Sequence, residues 1–174
     1  MKEIEVKQVE KEDFIEIYNV IERNRERLIT YFPKTAGSIK DLDTARKFVK
    51  QKVKQALERE QYCFIIILRN KPEIIGMVMI KNIDWTIPKG ELAYFIDKDF
   101  EGLGITSNAV KWVVEFCFKQ LEMEKIYIKF NPENKGSKKV AIKNGFEKEG
   151  FLKREFRTGY GQLTDVERYG LLRG

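Results

Sequence analysis

The residues Glu91-Leu92-Ala93-Tyr94-Phe95-Ile96-Asp97-Lys98-Asp99-Phe100-Glu101-Gly102-Leu103-Gly104-Ile105-Thr106 carry the reading that decides the fold. Glu91 to Ile96 is rich in apolar and aromatic residues and reads as a strand. A polar loop follows. A helix then runs from about Gly104 to Gln120, with Val110, Val113, Val114, Cys117 and Leu121 facing inward. Gly102 and Gly104 let the backbone approach a ligand closely, and the start of the next helix offers free N–H groups and a positive dipole end. Together these make an anion nest. The loop lacks the Gly-Lys-Ser/Thr ending of a Walker loop and the third glycine of a dinucleotide fingerprint, so a nucleoside triphosphate or NAD is not the expected ligand. Taken alone, the loop is also compatible with a tight turn whose glycines serve only backbone conformation.

Outward from this stretch, Ile4 to Val9 alternates as a strand, and Asp13 opens a helix with Phe14, Ile17, Ile21 and Leu28 at helical spacing. Pro33 and Gly37 punctuate a loop. A second helix begins near Asp41 or Asp43, carries Ala45, Val49, Val53 and Ala56 or Leu57 on one stripe, and ends before Tyr62. Tyr62 to Leu68, Ile74 to Ile83 and Glu91 to Ile96 then read as a meander with turns at Asn70-Lys71-Pro72 and Pro88-Lys89-Gly90. After the central helix come a strand from Lys125 to Phe130 and a helix from about Asn134 to Lys143, which Gly145 stops. Strands near Glu147 to Arg157 and Val166 to Leu172 complete the chain. The sum is an α/β (α+β) arrangement: a mixed, mostly antiparallel sheet of about seven strands with about four helices. No repeat or linker divides it, so residues 1–174 are expected to form one domain.

The 174 residues are 43% hydrophobic and 34% charged, and no apolar run approaches the roughly 20 residues that cross a bilayer. The longest, Cys63 to Leu68, suits a buried strand. The amino terminus alternates charge with apolar residues, unlike a secretory signal, so a cytoplasmic location and no membrane partner are expected. Cys63 and Cys117 lie in apolar segments and read as buried thiols. There is no histidine, which excludes Ser-His-Asp and Cys-His pairs and most zinc sites; no metal is expected, and any general base is a carboxylate, lysine, tyrosine or relayed water. The formal charge of +6 fits a solvated surface, attraction of a phosphorylated cofactor, or attraction of a ribosome or acidic protein.

A second run is more specific than the glycine loop: Asn134-x-x-Ser137, then Lys143-Asn144-Gly145-Phe146, then Glu149-Gly150-Phe151. With Glu91 to Ile96 and the loop at Glu101 to Thr106, it resembles the GNAT superfamily of acyl-CoA-dependent N-acetyltransferases, in its ribosomal-protein N-terminal acetyltransferase branch. The superfamily's loop signature is Gln/Arg-x-x-Gly-x-Gly/Ala. Gly104 fits it, whereas Glu101 stands for Gln/Arg and Thr106 for Gly/Ala. A carboxylate facing a diphosphate is repulsive, so Glu101 is expected to point away or cap the helix terminus.

The resemblance implies an acetyl-CoA cofactor. Leu103, Gly104, Ile105 and Thr106 would take its pyrophosphate, and its pantetheine arm would enter a splay between the strand holding Phe95 and Ile96 and the strand starting near Ile126. Asn134 would bind that arm or serve as a helix N-cap, and one side chain can do both. The acceptor is a primary amine. Freeing an α-amine at pH 7 costs about 1 kcal/mol and a lysine amine roughly 4.6 kcal/mol, so an α-amine needs only modest help from a base. Glu91 is the candidate base, directly or through water; its other reading is a surface carboxylate at a strand start. Ser137 would donate to the departing thiolate, or be an ordinary helix-surface serine; Tyr127 and Tyr169 are weaker candidates. A main-chain N–H near Phe95 or Ile96 would bind the oxyanion. Trp85, Tyr31 and Phe32 lie in loops expected to flank the acceptor entrance, where they would grip a peptide or amine or else pack into the core.

The expected function is acetyl transfer to a protein N-terminal α-amine, with possible ribosome association and no direct nucleic-acid binding. The alternatives are a small-molecule amine acceptor, such as a polyamine, aminoglycoside or amino sugar, and a non-catalytic acyl-CoA sensor. Either a monomer or a homodimer is compatible with the sequence.

Overall fold

The computed structural model describes residues 3–174. Its strands are β1 (Ile4–Gln8), β2 (Tyr62–Leu68), β3 (Lys71–Asp84), β4 (Lys89–Ile96), β5 (Lys125–Phe130), β6 (Glu147–Arg157) and β7 (Leu163–Leu172). They form one sheet in the order β1-β2-β3-β4-β5-β7-β6. All neighbours are antiparallel except β4 and β5, which are parallel. That pair is in register only at Lys89↔Lys125, Gly90↔Ile126 and Glu91↔Tyr127. Both strands continue past the last rung, β4 to Ile96 and β5 to Phe130, so they diverge and leave a wedge in the middle of the sheet. The splay expected from the resemblance is therefore present, with Glu91 and Tyr127 at its apex.

Strand alternation sends side chains to two separately packed layers. Leu92 and Ile96 of β4 join Phe64, Val78, Ile126 and Ile128 on one face, under α5 (Ile105–Lys119) and α6 (Lys135–Lys143). Phe95 joins Met77, Met79, Cys63 and Ile65 on the other, under α1 (Phe14–Arg23), α2 (Arg25–Tyr31), α3 (Pro33–Ser38) and α4 (Leu42–Leu57). Phe64, fully buried, meets Trp112 and Phe116 of α5 edge-on at 5.6 and 5.1 Å. These contacts seat α5, and so the loop before it, against the sheet.

The described residues hold six α-helices where about four were expected. The helix opened by Asp13 is two helices broken at Asn24, and the Pro33 to Gly37 loop is the short α3, with proline at its first position. Tertiary contacts explain the break. Asn24 is buried, donates from Nδ2 to the Val20 carbonyl at 2.9 Å, and accepts the Lys98 N–H at 3.1 Å, so the turn is shaped by a partner 74 residues away. The remaining elements match the expected ones within a few residues at each end.

Both cysteines are buried, and desolvation pushes each thiol up to about 12. At pH 9 about one thiol in a thousand is then ionised, and the thiolate is the reactive form. Native protein at pH 9 is expected to resist iodoacetamide, with both cysteines modified only after denaturant is added, as intact-mass measurement would read.

Candidate active site

The loop between β4 and α5 is built as the sequence suggests. Gly102 and Gly104 take left-handed conformations at φ 73° and 77°, and a Cβ on either would meet nothing within 4 Å. The glycines are therefore required by backbone conformation rather than by crowding from the protein. Gly104 is the N-cap of α5 and offers no side chain to cap it, while the Ile105 side chain is buried and pins the first turn. The main chain from Leu103 to Thr106 thus opens α5 with its leading N–H groups lacking a side-chain cap. Leu103 is half exposed beside them. Glu101 turns from this opening to pair with Arg27 of α2, in keeping with the expectation that it faces away.

Beyond Glu91, β4 has no strand partner on its β5 side. Asp97 N–H reaches the Ile75 carbonyl of β3, so by strand alternation Ile96, Tyr94 and Leu92 turn their peptide groups from β3 toward the opening. The Phe95 side chain lies on the α1–α4 face, edge-on to Phe32 at 5.7 Å. Tyr94, on the other face, reaches across to α6 and donates from its hydroxyl to the Ser137 carbonyl at 3.3 Å. Burial pushes that phenol up to about 12, so it stays protonated at neutral pH. Asn134 caps α6, its Oδ1 accepting the Ser137 N–H at 2.9 Å. The cap reading of Asn134 is thus realised, and Nδ2 is the atom left to meet a ligand in the wedge.

Glu91 is buried rather than a surface carboxylate. Asn82 Nδ2 donates to its Oε2 at 2.9 Å, and Lys81 and Lys129 approach its two oxygens at 3.4 and 3.6 Å. Asn82 reaches it from a left-handed position, φ 51°, within an irregularity of β3, a conformation asparagine tolerates better than most residues. Lys129 also meets Glu155 at 3.3 Å, and Arg168, opposite Lys129 on β7, lies 4.0 Å over the Tyr127 ring.

Glu91 and Ser137 therefore stand on opposite faces of β4. An amine and a leaving group approaching the wedge from its two sides would each meet one of them. Of the weaker donors, Tyr127 lies on the Glu91 face, and Tyr169 is buried on the other, stacked on Phe130 at 5.1 Å. Trp85 is not at the expected entrance. It packs against the α5–α6 layer, donates to the Arg59 carbonyl at 2.8 Å and lies under the Arg59 guanidinium, because the β3–β4 turn folds onto the end of α4. Phe32 does flank the wedge, through Phe95, and Tyr31 beside it is half exposed. Sequence reasoning missed Tyr94, Asn82, Lys81 and Lys129. The only signal for the last two was strand alternation, which places them on the Glu91 face.

A splayed central strand pair with a glycine loop and an uncapped helix start at its mouth is the arrangement expected of an acyl-CoA-dependent N-acyltransferase. Residues 3–147 match the family model for the acetyltransferase (GNAT) domain, and the chain belongs to that family of N-acetyltransferases, which use acetyl-CoA. It is 31% identical over 133 residues to an uncharacterised N-acetyltransferase, p20, of Bacillus licheniformis, covering 76% of this chain and 74% of that one. It is 29% identical over 111 residues to the ribosomal-protein-serine acetyltransferase of Escherichia coli, covering 64% and 61% of the two chains. The ribosomal-protein-S5-alanine acetyltransferase of Vibrio fischeri superposes with a TM-score of 0.92 at 25% identity, over 99% of this chain and 94% of that one. Spermidine N(1)-acetyltransferases match over shorter stretches.

The residues present fit acetyl-CoA. The uncapped start of α5 suits a diphosphate, and the part of β4 that no longer pairs with β5 suits an amide-bearing arm.

Proposed function

We propose that this protein acetylates the α-amino group of a protein N-terminus, a reading supported by relatives named as ribosomal-protein serine and alanine acetyltransferases. The observation that carries the choice of acceptor is the charge around Glu91. Lys81, Lys129 and Arg168 stand on that face, and its carboxylates Glu91, Glu155 and Glu149 are each already paired with one of them or with Lys125, so a polyamine would find those anions taken. A peptide brings one ammonium and a neutral backbone.

In this reading the main-chain N–H groups of Leu103, Gly104, Ile105 and Thr106 hold the diphosphate, and the β4 peptide groups that face the wedge on either side of Phe95, whose own peptide faces β3, align the arm with Asn134 Nδ2. Bound acetyl-CoA supplies the activated acetyl group. Glu91 takes the proton from the incoming ammonium, directly or through a water. A β4 peptide N–H facing the wedge stabilises the developing oxyanion, and the Ser137 hydroxyl donates to the departing sulfur. Association with a ribosome would be aided by the basic surface.

Release of free thiol from acetyl-CoA, followed with a panel of peptides, spermidine and aminoglycosides, tests the acceptor. Turnover is expected with peptides bearing a free α-amine and not with the same peptides blocked at the N-terminus. Turnover confined to spermidine would replace this reading with the polyamine one. Ser137→Ala is expected to lower kcat about tenfold while acceptor KM changes less than twofold, because its hydroxyl acts on the leaving group. Steady-state kinetics over both substrates would show it, and an equal rise in acceptor KM would remove that role.

A further inference from the structure

The α1–α2 junction grips the β4–α5 loop at three matched positions. Arg23 Nε donates to Asp97 Oδ2 at 2.9 Å, Asn24 Oδ1 accepts the Lys98 N–H at 3.1 Å, and Arg27 pairs with the Glu101 carboxylate. Each pair is separated by 74 residues, so the two segments run side by side in the same direction. Arg27 also donates to the Ile96 carbonyl at the mouth of the wedge and to Asn24 Oδ1. Upstream the grip is buried, since Asp97 is 4% exposed; at Glu101 it is half in water.

We propose that this junction is the template for the cofactor loop, and that Arg27 is a positioning residue for acetyl-CoA binding. The loop has left-handed glycines at 102 and 104, whose absent side chains contribute no packing, so its path depends on how its flanks are tied. Ile105 ties the downstream side and Arg27 the upstream side. Arg27 has a second effect. It neutralises the carboxylate that stands where the superfamily's loop carries Gln or Arg, and turns it from the diphosphate. The inference rests on the cofactor site proposed above and adds a residue outside it. Two residues beyond Arg27, the Ile29 carbonyl of α2 accepts the Gly159 N–H of the β6–β7 turn, which ties the same helix to a second loop.

The test is a mutant cycle read by calorimetry with acetyl-CoA and by steady-state kinetics. Arg27→Gln is expected to raise the acetyl-CoA Kd about tenfold, with kcat at saturation within twofold of wild type, because bound cofactor restores the loop. Adding Glu101→Gln should recover at least a factor of about three by removing the unpaired carboxylate. Effects that multiply independently, or a Kd within twofold of wild type in Arg27→Gln, would overturn the proposal. Should Arg27→Gln not fold, Arg27→Lys keeps the charge but loses the fork that spans Glu101 and the Ile96 carbonyl. It should raise Kd about threefold, and no change would count against the template. Absence of binding by the wild-type protein would remove the cofactor site itself; binding that ignores these variants would remove only the role of the junction.

Discussion

Glu91→Gln is expected to lower kcat/KM at pH 7 by about a hundredfold, within the usual contribution of a positioned base, and by much less at pH 9. The direction follows from the acceptor. An α-amine with pKa near 7.7 to 8.0 is mostly ammonium at pH 7 and must lose a proton before it attacks; at pH 9 it is already free. Removing a proton acceptor therefore hurts most below the pKa of the amine and least above it. Glutamine keeps the shape and can still accept from Asn82, but leaves Lys81 and Lys129 without their shared anion. A purely structural role for Glu91 predicts a loss independent of pH. The pH profile of kcat/KM for wild type and variant, with a peptide acceptor, separates the two. Parallel profiles would remove Glu91 as proton acceptor and leave the cofactor site standing.

Gly104→Val should weaken acetyl-CoA binding by about thirtyfold or more, the second large effect. A β-branched residue at φ 77° is strained by about 1 to 2 kcal/mol, and its side chain would occupy the space over the first turn of α5 that the protein leaves clear. The strain alone would lower thermal stability slightly. The loss of affinity is the specific result, because a Cβ here meets no protein atom within 4 Å and a ligand at the helix start would meet the added side chain. Calorimetry on folded variant protein gives the answer. Wild-type affinity in Gly104→Val would mean that the diphosphate does not sit on this nest.

Much of this site was legible because its parts are local. The left-handed glycines, the asparagine that caps α6 and the alternation of β4 each depend on residues within a few positions of one another, so residue type and spacing reveal them. What escaped notice depends on partners far along the chain. The helix break at Asn24 looked like continuous helix because its apolar spacing is unbroken, and only the hydrogen bond to Lys98 shows why the chain turns there. Trp85 is compatible from sequence with an entrance aromatic or with core packing, and only its cover by Arg59, from a different turn of the fold, decides for packing. Glu91 at a strand start is compatible with a surface carboxylate, yet β3 and β5 bury it among two lysines and an amide.

Sequence by itself determined the order of elements and the glycine loop that opens the central helix, since these follow from backbone stereochemistry and short-range periodicity. Tertiary structure alone decided where β4 and β5 part, which cations surround the candidate base, and how the α1–α2 junction holds the cofactor loop. Those features depend on contacts between segments far apart in the chain, and only packing of the whole sheet brings such segments within hydrogen-bonding distance.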